Sequence, residues 1–291
     1  MVVPVSTDRF LALAPRWRFL DSGAADGATN MATDAALMAQ ARRTGGGTFR
    51  VYAWDRPTLS LGRHERARDR FDPDRIAAHG VGVVRRPTGG RALLHDGDVT
   101  YSVTAPVGSL SLGESYAVIN ALLLDALARL GVRATVAAAA RRPLRPEGAA
   151  CFAEPSAGEL TVGGAKLVGS AQLREDGALL QHGSILLTDD QPLIERLRSG
   201  GTDAAPRTVT AATLGSLLER EVGYGEVRDA LAGAFAFATG EEAPSRDAPS
   251  AADPSRAAPL ASDPSSAAAS FRADVARLMI EYTRPSWTWR R

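Results

Sequence analysis

The chain has 291 residues, of which 45% are hydrophobic and 23% charged, with a net charge of +1. That length can bury the core of one large domain or two small ones, and the balanced charge gives no reason to expect a nucleic-acid partner. A single cysteine cannot form an internal disulfide, and the sequence has neither a signal peptide nor a run of about 20 apolar residues that would span a bilayer. These features predict a cytoplasmic protein without a membrane partner.

The first eighty or so residues alternate between helical and extended patterns. The stretch GATNMATDAALMAQARRT predicts a helix that ends at Gly45–Gly47. TFRVYAWDRPTLSLGR is rich in β-branched and aromatic residues and is broken by Pro57, which predicts two strands joined by a turn. A short polar helix is expected in HERARDRFDPDRIAAHG.

A second informative stretch is VGVVRRPTGGRALLHDGDVTYSV. It predicts a buried strand, held extended at Arg86 by the proline that follows, then a tight turn at Thr88-Gly89-Gly90 and further strands. The clearest helix lies between Ser111, which can form a capping box with Glu114, and Gly131. Its apolar stripe indicates core packing rather than a ligand surface.

An Ala-, Pro- and Arg-rich loop then leads to Cys151, the only cysteine of the chain. Two alternating runs after it are joined by Gly163-Gly164, a two-residue hairpin signal, and a further strand follows up to Leu187. Strands and helices are mixed along the chain, and hairpins are present. This pattern predicts an α/β (α+β) fold with a mixed, largely antiparallel β-sheet flanked by helices.

Beyond Leu187 the signal weakens to two helical stretches and then changes in composition. Residues 241–270 are rich in Ala, Pro, Ser and Asp, and the unit A-[A/S]-D-P-S-x-A-A occurs twice within them. We expect a disordered tether there, because this composition offers little to offset the entropy of ordering. The predicted organisation is a catalytic domain over 1–240, the tether, and a last helix and tail over 271–291 that pack on the catalytic domain.

Several common functional motifs are absent from the sequence. There is no G-x-x-x-x-G-K-[ST] or G-x-G-x-x-G loop for nucleotides and no G-x-S-x-G elbow. The four histidines are scattered and, with one cysteine, give no spacing typical of metal ligands. We therefore expect no cofactor and no metal site, which leaves Cys151 as the candidate nucleophile.

Lys166 is the only lysine of the chain, whereas 33 of its 34 basic residues are arginine. Arginine stays charged, but a lysine ammonium is a compact point charge that can also lose its proton. Because a thiol attacks as its thiolate, a lysine that the Gly163-Gly164 hairpin turns back towards Cys151 can activate it. The ordinary alternatives are a surface lysine and a buried thiol that packs as a small hydrophobe, and the pattern alone leaves them open.

Glycine-rich turns near these residues can present backbone N–H groups to a substrate carbonyl or oxyanion. Such turns occur at Thr88-Gly89-Gly90 and at Val168-Gly169-Ser170-Ala171. His95 and His182 are candidate proton carriers. A cysteine–lysine pair with these groups suits acyl transfer through a thioester.

Two long stretches carry a family resemblance. RRPTGGRALLHDGDVTYSV resembles the Arg-Arg-x-Thr-Gly-Gly signature of the biotin/lipoate A/B protein ligase family. CFAEPSAGELTVGGAKLVGSAQLREDGALLQHGSILL is similar to the matching part of its cysteine-dependent, lipoate-protein ligase A-like octanoyltransferase branch. The resemblance runs from NMATDAAL through SLGR to Tyr282 and Trp287, and it implies a biotin/lipoate protein ligase-like fold.

The resemblance implies an octanoyl-[acyl carrier protein]:protein N-octanoyltransferase. Cys151 would take the octanoyl group from the carrier protein, and a lysine of a lipoyl domain, such as glycine cleavage H protein or a 2-oxoacid dehydrogenase E2, would then accept it. Lys166 falls on the lysine of the family's Gly-Arg-Lys-x-x-Gly-Ser-Ala motif and would activate both nucleophiles. The residues expected to bind substrate are Arg86, Thr88, Gly89, Gly90, His95, Gly169, Ser170, Ala171 and His182.

Two further groups of residues suit such substrates. An eight-carbon chain needs an apolar slot, which Leu93, Leu167 and Leu180 could line unless they pack in the core. Arginines beside the cysteine loop could steer an acidic carrier protein, although solvated surface arginines would look the same. They are Arg141, Arg142 and Arg145.

Two departures from the family pattern bear on the activity. Ala165 stands where an arginine usually precedes the lysine, which removes a charge. Residues 96–102 differ from the Gly-Asn-x-Asn pattern of the ligases, which favours a transferase. The alternatives are an ATP-dependent lipoate–protein ligase, an octanoyl amidotransferase between lipoyl domains, and a non-catalytic module that binds an acyl group or a lipoyl domain.

Overall fold

A computed structural model describes residues 7–138, 152, 156–201, 211–241 and 264–290. The strands are β1 (Trp17–Ala25), β2 (Gly47–Trp54), β3 (Thr58–Leu61), β4 (Gly82–Arg85), β5 (Leu93–His95), β6 (Asp98–Pro106), β7 (Thr135–Val136), β8 (Leu160–Val162), β9 (Ala165–Glu175) and β10 (Ala178–Leu186). The helices are α1 (Thr7–Leu11), α2 (Gly27–Thr44), α3 (Pro73–Ala78), α4 (Leu112–Arg129), α5 (Leu193–Arg196), α6 (Leu214–Leu218), α7 (Tyr224–Thr239), α8 (Pro264–Tyr282) and α9 (Pro285–Thr288).

The strands form a seven-stranded and a three-stranded sheet. The larger sheet has the order β1-β2-β6-β10-β9-β8-β7, and the smaller one has the order β4-β3-β5. Only the β1–β2 and β3–β4 pairs are parallel among these strands, and the others are antiparallel. The expected mixed, largely antiparallel sheet with flanking helices is confirmed.

Helices cover both faces of the larger sheet. On β2, Phe49 and Val51 pack in one core with α4 and α7, whereas Tyr52 packs in another with α2 and α8. Successive side chains of a strand point to opposite faces, so the two cores lie on opposite sides of the sheet. The centre of the larger sheet is therefore buried between helices. The candidate site lies towards its β9–β8–β7 end.

The two central helices begin and end where the sequence predicts. In α2 the side chain of Asp26 accepts a hydrogen bond from the backbone N–H of Thr29, and Gly45 ends the helix with a φ of 70°. In α4, Ser111 and Glu114 form the predicted capping box. Helix α2 lies between the larger sheet and α8, so it has buried residues on most of its sides.

The hairpin predicted at Gly163-Gly164 joins β8 to β9. Both glycines have positive φ, 58° and 82°, as a type I′ turn requires. The register shifts inside this hairpin: Thr161 pairs with Lys166, whereas Leu160 pairs with Val168. One extra residue of β9 is therefore accommodated just after Lys166, which is a β-bulge.

The C-terminal part differs from the expectation in one respect. Helix α8 begins at Pro264, inside the stretch predicted to be a tether, so the end of the second repeat belongs to the helix. The rest of that stretch, from 242 to 263, lies outside the described residues. The division into a catalytic domain, a tether and a tail stays a prediction. No helix in the described ranges is long and apolar enough to cross a membrane.

Candidate active site

A cleft of about 1350 Å³ lies where the β9–β10 part of the larger sheet, the smaller sheet and α4 meet. Most of the residues predicted to bind substrate line this one cleft, together with the predicted catalytic Lys166. The substrate-binding candidates in the lining are Arg86, Gly89, Gly90, His95, Gly169, Ser170, Ala171 and His182. Thr88 is fully buried behind His182 instead, and Cys151 lies outside the described residues.

Lys166 is a buried cation held by a buried carboxylate. Its Nζ lies 2.6 Å from Oε1 of Glu159, and the two residues are 2% and 6% exposed. The other carboxylate oxygen of Glu159 accepts a hydrogen bond of 2.6 Å from the backbone N–H of Ser156. The lysine that the sequence singled out is therefore not a surface residue.

Two neighbours confine the Lys166 side chain. The ring of Phe152 faces the ammonium, with Nζ 4.6 Å from the ring centroid, in a cation–π contact. A Cβ on Gly169 would lie 2.8 Å from Cε and 3.0 Å from Nζ of Lys166. The 2.8 Å distance is shorter than real Cβ contacts, so a side chain at residue 169 would displace the end of Lys166 from this position.

The Thr88-Gly89-Gly90 turn is held by Arg86 from inside. The Arg86 guanidinium donates hydrogen bonds to the carbonyl oxygens of Ser60, Gly89 and Arg91. Gly90 has a φ of 98°, and a Cβ there would lie 2.6 Å from the guanidinium. Arg86 therefore lines the cleft and also holds the backbone of the turn in place.

A buried chain of hydrogen bonds leads from the cleft into α2. Burial lowers the pKa of His182, so its ring is neutral at pH 7. Its Nδ1–H donates to Asp34 at 3.2 Å, and its Nε2 therefore accepts from the Thr88 hydroxyl at 2.6 Å. Thr88 thus fixes the ring of His182 at the cleft wall.

Asp34 is the centre of that chain. Burial alone would raise the pKa of Asp34, but the Arg50 guanidinium and hydrogen bonds from His182 and Ser102 lower it below its ordinary value. Arg50 and Ser102 donate to the carboxylate at 2.7 Å, and Tyr52 donates at 3.1 Å. The fully buried carboxylate is therefore ionised and satisfied.

His95 is fixed as firmly as His182, by different partners. Its Nδ1 lies 3.1 Å from Asp98 and its Nε2 lies 2.8 Å from the Ser60 hydroxyl. The indole of Trp54 stacks on the imidazole with 3.9 Å between ring centroids. Both ring nitrogens of His95 are thus engaged in contacts, and His95 and Trp54 both line the cleft.

Ser170 ends a polar chain on the α4 side of the cleft. Its hydroxyl lies 2.7 Å from the Tyr101 hydroxyl, which accepts a hydrogen bond from Gln181. Burial raises the pKa of Tyr101 to about 12, so the phenol is protonated. Tyr116 of α4 donates to the carbonyl oxygen of Ser170 at 3.1 Å, which holds this part of β9 against the helix.

The apolar slot differs from the expectation for two of its three leucines. Leu93 lines the cleft, but Leu167, which the bulge after Lys166 turns away, packs in the core with α4, and Leu180 is covered by Met38 of α2. Apolar lining comes instead from α4 and β7. These residues are Ala117, Ala121, Leu124 and Val136.

Several residues of the site were not singled out from the sequence. Glu159 carries the clearest signal, since it lies in the Pro-Ser-x-x-Glu-Leu run that carries the resemblance, seven residues before Lys166 and across the hairpin turn. Asp34 and Arg50 had no such signal, because their meeting depends on the packing of α2 on the sheet. Arg141, Arg142 and Arg145 lie outside the described residues. No group of three or more His, Cys, Asp and Glu side chains suited to a metal occurs in the described part of the chain.

Comparison with known proteins gives the family. Residues 26–236 match the lipoyl protein ligase A/B catalytic domain. The chain belongs to this family. Two lipoyl protein ligase A/B relatives named Octanoyltransferase LipM, from Symbiobacterium thermophilum and Kyrpidia tusciae, are each 44% identical to it over 77% of this chain. The matches cover 86% and 87% of those proteins.

Solved structures of lipoyl protein ligases share the fold. A lipoate-protein ligase A bound with ATP is similar with a TM-score of 0.70 and 18% identity, over 94% of this chain and 98% of that one. A bipartite lipoate protein ligase with its E2 lipoyl domain from Thermoplasma acidophilum is similar with the same TM-score and identity, over 94% and 96%. At that identity the likeness concerns the fold, which confirms the expected ligase-like architecture.

Proposed function

We propose that this chain is an octanoyltransferase that moves an octanoyl group from acyl carrier protein, through a thioester on Cys151, to a lysine of a lipoyl domain. The observation that carries the proposal is the buried Lys166 ammonium in the cleft, against the ring of Phe152. Phe152 is joined to Cys151 by one peptide bond. Two relatives named Octanoyltransferase LipM, each 44% identical to this chain, support octanoyl as the acyl group that is transferred.

The reaction then has two balanced steps. In the first, the Cys151 thiolate attacks the thioester carbonyl, a new carbon–sulfur bond forms, and the carrier thiolate leaves and takes up a proton. In the second, the neutral amine of the acceptor lysine attacks the enzyme thioester. The amide bond forms, the amine loses a proton, and Cys151 leaves as its thiolate, ready for another cycle. ATP takes no part.

The cleft supplies what each step needs. In this proposal, backbone N–H groups near Gly89 and Gly169 stabilise the oxyanion. Apolar side chains of α4 and β7, with Leu93, offer the octanoyl chain a surface that removes it from water. His182 and His95, each fixed by a carboxylate, shape the opposite wall. A reduced cysteine in this role suits a cytoplasmic protein.

The acceptor is a lipoyl domain, such as that of glycine cleavage H protein or a 2-oxoacid dehydrogenase E2. Relatives of the ligase type support this class of partner, since one was solved with its E2 lipoyl domain. Acyl carrier proteins are acidic, so arginines beside the cysteine loop would favour their docking. The predicted steering by Arg141, Arg142 and Arg145 is part of this proposal.

Intact-mass spectrometry after incubation with octanoyl-acyl carrier protein, without ATP, tests the function. We expect the mass of one octanoyl group on the wild type and none on Cys151→Ser, and transfer to a lipoyl domain on its addition. Normal transfer by Cys151→Ser would sink the proposal. Strict dependence on ATP with free octanoate would indicate a ligase instead, and a preference for an octanoylated lipoyl domain as donor would indicate an amidotransferase.

A further inference from the structure

Three neighbouring strands of the larger sheet place Tyr101, Gly183 and Ser170 in one row. Gly183 of β10 lies opposite Tyr101 of β6 and opposite Ser170 of β9. Residues that lie opposite one another project to the same face of a sheet. Because Gly183 has no side chain, the Tyr101 hydroxyl reaches across β10 to the Ser170 hydroxyl, at 2.7 Å. A Cβ at residue 183 would lie 2.6 Å from that Ser170 oxygen and would close the gap.

Arg174 sets the direction of the hydrogen bonds behind this row, because a guanidinium can only donate. It donates to the Ser115 hydroxyl at 2.8 Å, and Ser115 donates its own hydrogen to the carbonyl oxygen of Leu112 at 2.9 Å. The Ser115 oxygen therefore accepts again from the Gln172 side chain, whose Nε2 lies 3.2 Å away. The amide of Gln172 is thus oriented with its nitrogen on this side.

The same direction continues to the Ser170 hydroxyl. Nε2 of Gln172 donates to Oε1 of Gln181 at 3.0 Å, so Gln181 turns its own nitrogen towards Tyr101. That nitrogen donates to the Tyr101 hydroxyl at 3.0 Å, and Tyr101 keeps its one hydrogen for Ser170. Ser170 therefore accepts from Tyr101, and its own hydroxyl hydrogen takes no part in this chain of hydrogen bonds.

The cleft is where that hydrogen can find an acceptor. Ser170 is half-buried and lines the cleft next to Gly169, at whose Cα the end of Lys166 lies. Within the described part of the chain, the Ser170 hydroxyl has no hydrogen-bond partner besides Tyr101. An octanoyl group has a single strong hydrogen-bond acceptor, its carbonyl oxygen. The chain of hydrogen bonds therefore suits a ligand that brings a carbonyl oxygen to Ser170.

We propose that Ser170 is a catalytic residue whose hydroxyl donates to the acyl carbonyl oxygen, and that Gln181 and Tyr101 are positioning residues that orient this donor. The proposal rests on the function proposed above and deepens it. Ser170 keeps its hydrogen throughout, and no bond to its oxygen forms or breaks. As the carbonyl carbon becomes tetrahedral, the carbonyl oxygen gains negative charge. The hydrogen bond then strengthens and lowers the barrier.

An infrared spectrum of a bound, unreactive analogue tests the hydrogen bond itself. Ethyl heptyl ketone, isotopically labelled at its carbonyl carbon, carries the octanoyl group but has no thiol to release. A hydrogen bond lowers the stretching frequency of a carbonyl group, so we expect a higher frequency in Ser170→Ala than in the wild type. Ser199→Ala changes an exposed serine and is the matched control, with the wild-type frequency. Equal frequencies in Ser170→Ala and the wild type would overturn the proposal, whether or not octanoyl is transferred.

Gln181→Glu tests the orientation of the hydroxyl and leaves Ser170 in place, so it also serves if Ser170→Ala fails to fold. A carboxylate can only accept, and hydrogen bonds from Gln172 and Tyr101 favour its ionised form. Tyr101 would then turn its hydrogen to residue 181, and Ser170 would have to donate to Tyr101. We expect the ketone frequency of Ser170→Ala in this variant. The wild-type frequency would overturn the positioning role of Gln181.

The rate of octanoyl-enzyme formation from octanoyl-acyl carrier protein tests the effect on catalysis. Loss of one oxyanion donor costs about 100- to 1000-fold in kcat, so we expect Ser170→Ala and Gln181→Glu to fall by that order with little change in KM. Because Gln181 acts through Ser170, the double variant should be no slower than Ser170→Ala. A normal kcat in Ser170→Ala would overturn the catalytic role. A wild type that lowers the ketone frequency but forms no octanoyl-enzyme would refute the octanoyltransferase function alone.

Discussion

Two glycines, Gly169 and Gly183, leave room in the cleft for the side chains of Lys166 and Ser170. A Cβ on Gly169 would meet Lys166 at 2.8 Å, and a Cβ on Gly183 would lie 2.4 Å from the carbonyl oxygen of Gly169 and 2.6 Å from the Ser170 hydroxyl. Gly183 pairs with Ser170 across β9 and β10. These neighbouring positions therefore lack side chains because Lys166 and Ser170 fill the volume.

Gly169→Ala should separate the placement of Lys166 from the stability of the fold. The new methyl group would push Nζ aside, and a displacement of about 1 Å near a reacting group can cost about 100-fold in rate. We expect a loss of that order in the rate of octanoyl-enzyme formation, measured by rapid quench and mass spectrometry. Gly225→Ala in α7, where a Cβ meets nothing within 4 Å, is the control and should keep the wild-type rate. Equal rates in both variants would contradict the placement.

At the residue scale, the sequence predicted those site residues that are rare in the chain or are specified by local spacing. Lys166 and Cys151 stand out because each is the only residue of its type. Glu159 is one of 33 acidic residues, so its type gives no signal, and its partner is set by a hairpin turn. The carboxylate that pairs with Lys166 was therefore missed, although the lysine was found.

At the element scale, the β8–β9 hairpin places Lys166. The turn sets the register in which Thr161 lies opposite Lys166, and the bulge at Leu167 returns Lys166 and Gly169 to one face. Without the bulge, strand alternation would place residues 166 and 169 on opposite faces. The turn and the bulge together therefore bring the ammonium over the glycine.

Two substitutions at Gly163 test the turn. Its φ of 58° suits asparagine, which tolerates the left-handed region, but not the β-branched valine. We expect Gly163→Val to lower the free energy of unfolding by about 1–2 kcal/mol and Gly163→Asn to change it little, measured by urea denaturation. Equal stability of the two variants would argue against a type I′ turn.

The elements themselves were predictable where local chemistry decides them. The capping box of α4 and the Gly-Gly hairpin were found because a few adjacent residues specify them. The start of α8 was not, since α8 is stabilised by packing against α2. The start of α3 does carry a local signal, the Asp72 cap followed by Pro73, which the prediction of a longer polar helix did not use. The sequence left open whether Leu167 and Leu180 line the slot or pack in the core, because the bulge at Leu167 interrupts the alternation of β9 and the cover of Leu180 by Met38 of α2 depends on tertiary packing.

At the scale of the whole molecule, the Asp34 carboxylate joins parts of the chain that lie far apart in sequence. It belongs to α2 and accepts hydrogen bonds from Arg50 and Tyr52 of β2, Ser102 of β6 and His182 of β10. These four partners fix the helix to three strands of the larger sheet. The stability of the fold should therefore respond to the protonation of this network.

A pH series tests that expectation. Burial lowers the pKa of His182, so below about pH 6.5 the unfolded chain binds a proton that the folded chain does not, and stability falls. Asp34, whose pKa is lowered, adds its own loss only below about pH 4. We expect the free energy of unfolding to fall from pH 7 to pH 5.

His182→Asn should reduce that pH dependence. The variant should also lose about 1–3 kcal/mol at pH 7, because Thr88 or Asp34 loses a buried partner. His64→Asn changes an exposed histidine and should leave the slope between pH 7 and pH 5 unchanged. A His182→Asn slope as steep as that of the wild type would place the titrating group elsewhere.

Arg85, the fully buried neighbour of Arg86, ties the far end of the chain to the site. Its guanidinium donates to the carbonyl oxygens of Gly62 and Glu65 on one side and of Trp287 and Thr288 on the other. The indole N–H of Trp287 donates back to the carbonyl oxygen of Arg85 at 2.9 Å. Hydrogen bonds thus join residues that lie 202 positions apart in sequence.

This clamp has a consequence for the order of events in the cell. Ribosomes release a protein from its N-terminus, so Arg85 leaves the exit tunnel long before Trp287 and Thr288 exist. Until then the guanidinium lacks those two carbonyl partners and is held only by Gly62 and Glu65 on its other side. The larger sheet, whose last strand ends at Leu186, can pair during synthesis, whereas the contacts of Arg85 with the C-terminal tail form only once residue 288 has emerged. Closure of this clamp is therefore a late event in the folding of the domain.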